Sequence, residues 1–246
     1  MRIIGIIPAR YSSTRFPGKP LALINGKSMI RRVYEQAQAA SELHEVVVAT
    51  DDERIAEEVK SFGGKYVMTR TDHISGTDRC FEALCHQKTT FDAVINIQGD
   101  EPFIQPEQIN QVARLLQDGT TEVSTLAYQI SKIDELFSPN HVKVVFGTNG
   151  RALYFSRHPI PFVRNSEPDQ WLTQQAYYKH LGIYGYLSRS LEKITLMKPS
   201  ALEKAESLEQ LRWLENGLQI TVGITQTESV GIDTPADLEK VLKLFQ

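Results

Sequence analysis

Near its amino terminus the chain places a run that leaves the fold little freedom. Arg2 to Pro8 reads RIIGIIP and is followed at once by ARYSSTRFPGKP. A short, nearly unbroken apolar run of this kind does not alternate as a half-solvated strand would, and it suits a strand covered on both faces in a parallel sheet. The loop after it carries Arg10, Arg15 and Lys19, with Ser12, Ser13 and Gly18 among them. Fixed positive charges on a backbone with small side chains suit close approach to an anion such as a polyphosphate. A solvated basic turn is the plainer alternative. The pattern G-x-x-x-x-G-K-[ST] is absent, because Pro20 follows Lys19 and Leu21 stands where its first glycine would precede Gly26-Lys27-Ser28; G-x-G-x-x-G is missing too.

The pattern that follows repeats strand, loop and helix. Asn25-Gly26 separates two short apolar runs as a turn, and a helix is predicted from Ser28 to Ala39. Strands are predicted at Glu45 to Thr50, Lys65 to Met68, Val94 to Ile97 and Val123 to Gln129, with helices at about Asp51 to Phe62, Asp78 to Gln87 and Pro106 to Gln117 between them. Such alternation implies right-handed βαβ units, a Rossmann-like α/β fold with a mainly parallel sheet flanked by helices. Ligands of these sheets gather beyond the carboxyl ends of the strands, so the loops at 8–20, 69–79 and 98–103 are expected to share one cleft.

Beyond residue 140 the character changes. Val142 to Phe146 and Leu153 to Phe155 read as short strands around the turn Gly147-Thr148-Asn149-Gly150, and Lys179 to Leu187 (KHLGIYGYL) reads as an antiparallel or mixed-sheet strand. A helix at about Ser207 to Asn216, a strand at Leu218 to Ile224 and an amphipathic helix at Pro235 to Phe245 complete the pattern. At 246 residues the chain is read as one domain, 1–246, with a strand-rich subregion at 140–190.

Charge and composition exclude several functions. The formal net charge of −3 lacks the strongly basic stripe of a general nucleic-acid binder. Cys80 and Cys85 support neither a disulfide framework nor a four-ligand zinc site, and six scattered histidines form no metal-ligand pattern. No apolar run approaches the roughly twenty residues of a membrane span, and no charged leader with a cleavage site precedes the first strand. A cytoplasmic protein without membrane insertion is expected.

Among candidate chemical groups, Asp100 stands just past a buried strand in Q-G-D-E-P, where a carboxylate can face the cleft. Magnesium takes oxygen ligands, commonly one or two carboxylates with substrate phosphates. Asp233, read alone, is better explained as a helix-start residue than as a ligand. Asp51-Asp52 reads more simply as a helix cap than as a metal pair. Glu101 and Asp237 are weaker acidic candidates, with solvation or capping the simpler explanation. T-D-H-I-S-G-T-D-R at 71–79 offers hydrogen-bonding groups for a base, or a cap for the next helix. Arg157 suits a carboxylate bidentately. His180, Tyr184, Glu209 and Gln210 suit sugar hydroxyls, or ordinary packing and solvation.

Read together, P-A-R-Y-S-S-T-R-F-P-G-K-P-L, H-I-S-G-T-D-R, Q-G-D-E-P, Y-F-S-R-H-P-I-P, H-L-G-I-Y-G-Y, L-E-Q-L-R-W-L-E-N-G and G-I-D-T-P-A-D-L resemble, in order, the motifs of the 3-deoxy-manno-octulosonate cytidylyltransferase family of sugar nucleotidyltransferases. Two residues depart mildly: Ser13 stands where alanine is frequent in the family loop, and Phe16 where leucine is. The resemblance implies the nucleotide-diphospho-sugar transferase type of fold. It also implies CMP transfer from CTP to 3-deoxy-D-manno-octulosonate (KDO) for lipopolysaccharide biosynthesis, with release of pyrophosphate.

By the same resemblance, Arg10, Lys19, Asp100 and Asp233 are catalytic, and Asp100 and Asp233 bind Mg2+. Arg10, Ser13, Lys19, His73, Ser75, Gly76, Arg79 and Gln98 meet the nucleotide. Arg157, His180, Tyr184, Glu209 and Gln210 meet the sugar, and the 140–190 subregion also builds a homodimer. The alternatives are a CMP-sialic acid synthetase, another sugar nucleotidyltransferase, or a non-catalytic nucleotide-binding regulator.

Overall fold

A computed structural model describes residues 1–13 and 15–243. In chain order the elements are β1 (Ile3–Ala9), β2 (Leu23–Ile24), β3 (Lys27–Ser28), α1 (Met29–Gln38), β4 (Glu45–Thr50), α2 (Glu53–Ser61), β5 (Tyr66–Met68), α3 (Gly76–Cys85), β6 (Ala93–Asn96) and α4 (Pro106–Leu116). There follow β7 (Val123–Gln129), α5 (Ile133–Phe137), β8 (Lys143–Phe146), β9 (Ala152–Ser156), α6 (Trp171–Gln174), β10 (Tyr178–Leu187), α7 (Ser188–Thr195), α8 (Ala201–Glu206), α9 (Glu209–Glu215), β11 (Ile220–Thr225) and α10 (Pro235–Lys243).

The main sheet has the order β11-β7-β10-β6-β1-β4-β5, with the β8–β9 hairpin paired to β10. Along that path β10 alone runs against the others, pairing antiparallel with both β6 and β7. The rest is parallel, as the alternating pattern requires. β10 therefore lies inside the main sheet, so the strand-rich stretch at 140–190 is not set apart from it as a whole.

The opening apolar run explains the layering. Ile3 and Ile7 point to one face, among Ile30 and Val33 of α1 and Ile109 and Val112 of α4; Ile4 and Ile6 point to the other, among Cys80 and Ala83 of α3 and Leu191 and Ile194 of α7. All four isoleucines are fully buried. At about 1.5–3 kcal/mol for each such side chain, this strand alone fixes a helix–sheet–helix sandwich. Both cysteines are free thiols.

Helix starts follow their caps. Ser28 caps α1, Asp52 caps α2 and Ser75 caps α3, each accepting a backbone N–H. Asp52 thereby does the capping expected of it, while Asp51 turns inward to pair with Arg79. The sequence pattern left residues 188–206 without elements, and the structure forms α7 and α8 there. The expected carboxyl-terminal helix is present as α10, and the last residues assigned to it, Leu244 and Phe245, lie outside the described residues. No described helix is long and apolar enough to cross a membrane.

Candidate active site

The three predicted loops meet. Past the carboxyl ends of β1 and β6 lies a cavity of about 250 Å³, lined by Arg10, Ser13, Arg15 and Lys19 from the first loop, His73, Ser75, Gly76 and Arg79 from the second, and Gln98 and Asp100 from the third, together with Asp233. Every residue expected to touch the nucleotide or the metal is on its wall.

The first loop is shaped by backbone as much as by charge. Gly18 has φ of 71°, a left-handed value that glycine adopts without a Cβ penalty. Its N–H donates to the Tyr11 carbonyl oxygen at 2.9 Å, closing the loop on itself. A Cβ at Gly18 would lie 3.1 Å from the Tyr11 ring, whose centroid is 3.3 Å from the guanidinium carbon of Arg54. In the third loop, a Cβ at Gly99 would lie 2.9 Å from the Pro8 carbonyl oxygen. Glycine is what lets the β6 loop press against the end of β1 and bring Asp100 beside Lys19.

That contact is the electrostatic centre of the site. Lys19 Nζ lies 2.7 Å from Asp100 Oδ2 and 3.3 Å from Asp233 Oδ1, and Arg15 Nη2 reaches Asp233 Oδ1 at 3.1 Å. Two carboxylates separated by most of the chain thus converge on one ammonium. A pair of hard oxygen donors that already face a common cation is the donor set a magnesium ion takes beside substrate phosphates. The residues present therefore fit that ion. Asp237, by contrast, is spent on its own helix, its Oδ2 accepting from Thr234 N at 3.0 Å.

The second loop presents the start of α3. Ser75 Oγ accepts from Asp78 N at 3.1 Å, and Ser75 and Gly76, at the positive end of the helix dipole, line the cavity. Arg79 is nearly buried; its guanidinium donates to Asp51 at 2.8 Å and to Thr69, which fixes it as part of the wall. His73 Nε2 contacts Glu82, so its ring is held from behind. Gln98 Nε2 donates to the Gly182 carbonyl at 3.0 Å, tying the third loop to β10.

A second cavity, about 150 Å³, is lined by Gly76, Thr77, Asn96, Gln98, Tyr184, Glu209, Gln210 and Trp213. Gly76 and Gln98 belong to both cavities, which therefore adjoin. Asn96 Oδ1, Tyr184 OH and Trp213 Nε1 are buried and have no hydrogen-bond partner among the described residues. Burial raises the Glu209 carboxyl above its ordinary range, against the Thr77 hydroxyl at 2.9 Å and the Arg212 guanidinium at 2.6 Å, which favour the ionised form.

Two expected sugar contacts stand elsewhere. His180 lines neither cavity; it lies behind Tyr184 with ring centroids 5.1 Å apart. Thr125 Oγ1, 2.9 Å from His180 Nε2, donates its one proton to the Ile183 carbonyl oxygen 2.7 Å away, which assigns the imidazole as the donor. Arg157 is also off both walls, its guanidinium donating to the carbonyls of Glu206, Pro139 and Ser207.

Arg15, counted among the loop's cationic groups from the sequence but left out of the residues the resemblance implies, lines the cavity with them, and Asn96 and Trp213 had been given no role. Asn96 had a signal: it is the one polar residue of the buried strand AVIN.

A cationic loop and an acid pair that meet at the carboxyl edge of a mainly parallel sheet, beside a polar second cavity, define the class as an α/β nucleotidyltransferase. The profile of the cytidylyltransferase family matches residues 4–220. A 3-deoxy-manno-octulosonate cytidylyltransferase of Parabacteroides distasonis is 54% identical over 98% of this chain and 97% of its own, and one of Bacteroides thetaiotaomicron is 56% identical over 97% and 96%. The chain belongs to the 3-deoxy-manno-octulosonate cytidylyltransferase family. Among solved structures, a CMP:2-keto-3-deoxy-manno-octonic acid synthetase complexed with CTP superposes with a TM-score of 0.92 at 45% identity, covering 100% of this chain and 98% of the other. A 4-diphosphocytidyl-2C-methyl-D-erythritol synthase from Anaerococcus prevotii shares the fold, with a TM-score of 0.64 at 14% identity over 100% and 96% of the two chains.

Proposed function

We propose that the protein transfers CMP from CTP to KDO, releasing pyrophosphate, and that its product serves lipopolysaccharide assembly. The observation that carries this reading is the meeting of Lys19 with Asp100 and Asp233 in a cavity that shares Gly76 and Gln98 with a second, polar one. Donor and acceptor would then lie side by side.

In this reading a hydroxyl of the acceptor forms a bond to the α-phosphorus of CTP, and the bond from that phosphorus to the bridging oxygen breaks. Positioning and charge stabilisation dominate such transfers. Arg10, Arg15 and Lys19 offset the triphosphate's charge. Ser13, His73, Ser75, Gly76, Arg79 and Gln98 orient the nucleotide, with the α3 amides available to acceptor atoms.

Asp100 and Asp233 would hold Mg2+, which when bound supplies charge stabilisation at the phosphates and eases loss of the hydroxyl proton. No side chain is assigned as general base. Tyr184, Glu209, Gln210 and the unpartnered Asn96 and Trp213 groups bind the sugar's hydroxyls. His180 supports Tyr184 from behind. Arg157 meets the sugar carboxylate only by leaving its backbone carbonyls. The homodimer and the cytoplasmic location belong to the same proposal; Leu153 and Phe162, 67% and 74% exposed, give the strand-rich stretch apolar surface for a second copy.

The test is pyrophosphate release across the four nucleoside triphosphates and a set of acidic sugars, with and without Mg2+. Release from CTP with KDO that requires the metal is expected. Preference for a sialic acid would reassign the acceptor, and CTP binding without release would leave a nucleotide-binding protein.

A further inference from the structure

Asp233 belongs to neither a strand nor a helix. It lies near the end of the irregular stretch between β11 and α10, and contacts outside the cleft hold that stretch. Ile232 N donates to the Asp100 carbonyl at 2.9 Å, so the two acid-bearing backbones are tied directly. Ser229 Oγ donates to Glu101, the residue after Asp100. Lys179 Nζ, on β10, pairs with Glu228 and lies 3.5 Å from Glu135 and 5.3 Å from the Tyr128 ring centroid.

The asymmetry of that ion cluster is informative. The Lys179 side chain is 7% exposed and that of Glu135 is 17% exposed, whereas that of Glu228 is 43% exposed. A buried lysine needs a carboxylate, and Glu135 supplies one. Glu228 is a second carboxylate, on a more exposed side chain. What Glu228 adds is a second grip, on the segment that delivers Asp233.

We propose that Lys179 and Glu101 are positioning residues, clamping Glu228 and Ser229 so that Asp233 is held opposite Asp100. The proposal rests on the reading that these two aspartates hold the metal. The clamp acts through the backbone of 228–232 and touches neither nucleotide nor sugar.

The decisive variant is the double substitution Glu228→Gln with Ser229→Ala, which leaves Lys179 beside Glu135 and takes the Ser229 hydroxyl from the buried Glu101 carboxyl. Turnover is measured together with Mn2+ titration of the CTP-loaded, acceptor-free protein, free Mn2+ being read by electron paramagnetic resonance. Expected are a fall in kcat and a rise in the Mn2+ half-saturation, each of about tenfold or more, the usual scale for residues that orient a metal ligand. KM for CTP should stay within about twofold, because the triphosphate cations are untouched. The melting temperature should stay well above the assay temperature, so that the protein assayed is folded, and Glu228→Asp with Ser229 retained, which keeps the charge and the hydroxyl, should show much smaller losses.

Wild-type kcat and Mn2+ binding in the double variant would overturn the clamp. So would losses that track a lowered melting temperature, or equal losses in CTP binding. Asp233→Asn separates the two readings: inactive with a normal double variant, it removes only the clamp, whereas fully active it removes the metal pair beneath it.

Discussion

Lys19 is committed twice. Its ammonium pairs with Asp100 and Asp233, and it lines the cavity assigned to the triphosphate. Its aspartate partners are about one-third and one-half exposed, so the ion pairs add little to stability. Their worth lies in function, and two substitutions should separate accordingly. Lys19→Ala removes a charge-assisted hydrogen bond to phosphate worth about 1.5–3 kcal/mol, so KM for CTP should rise about ten- to hundredfold. Asp100→Asn should instead lower kcat by about a hundredfold, the scale of losing one electrostatic stabiliser, with the melting temperature unchanged. Steady-state kinetics and a melting curve on each purified variant check this. Unchanged CTP kinetics in the first, or wild-type pyrophosphate release in the second, would remove the assigned role.

At the scale of elements, the site depends on how loops leave their strands, and the first loop offers the sharpest case. Gly18→Ala forces an L-residue into φ of 71° and sets a methyl 3.1 Å from the Tyr11 ring, over which the Arg54 guanidinium also lies. The left-handed conformation alone costs about 1–2 kcal/mol. The loop is expected to open, weakening CTP binding about tenfold while circular dichroism stays native, as titration calorimetry would register. Loops of this kind were legible because glycine, proline and charge mark them in the sequence. So were strands such as β1 and β4, whose apolar runs mark them as buried strands. α7 was not, because SRSLEKIT follows β10 without a glycine or proline to announce the change. α8 carried a readable signal, the Ser200–Glu203 capping box. The pairing of Asp100 with Asp233 was out of reach of spacing; it is set by β11 and β6 standing in one sheet, and only the family resemblance joined the two motifs. Nor does any local pattern tell that Lys179 is buried and shared between Glu135 and Glu228.

For the whole molecule, the same burial that orders the sheet's interior makes folding sensitive to acid. His180 sits on β10 between the Phe155 and Tyr184 rings, and burial pushes its pKa down to about 3 from an ordinary 6.5. In the unfolded chain the imidazole takes up a proton as pH falls through about 6.5, while in the folded protein it stays neutral, donating to Thr125. The unfolded state therefore binds more protons throughout that interval. The stability this neutral histidine permits is complete above about pH 6.5 and declines by about 1.4 kcal/mol per pH unit as the solution is acidified towards about pH 3. His180→Gln keeps a side chain able to donate to Thr125 and removes the titration. Urea unfolding at pH 7.5 and 5.5 should then show the wild type losing about 1.4 kcal/mol more than the variant across that interval. Carboxylates contribute to both proteins alike and cancel in the comparison. Parallel pH profiles would mean that the ring takes up its proton without leaving the folded sheet, and that the core behind Tyr184 is open to water.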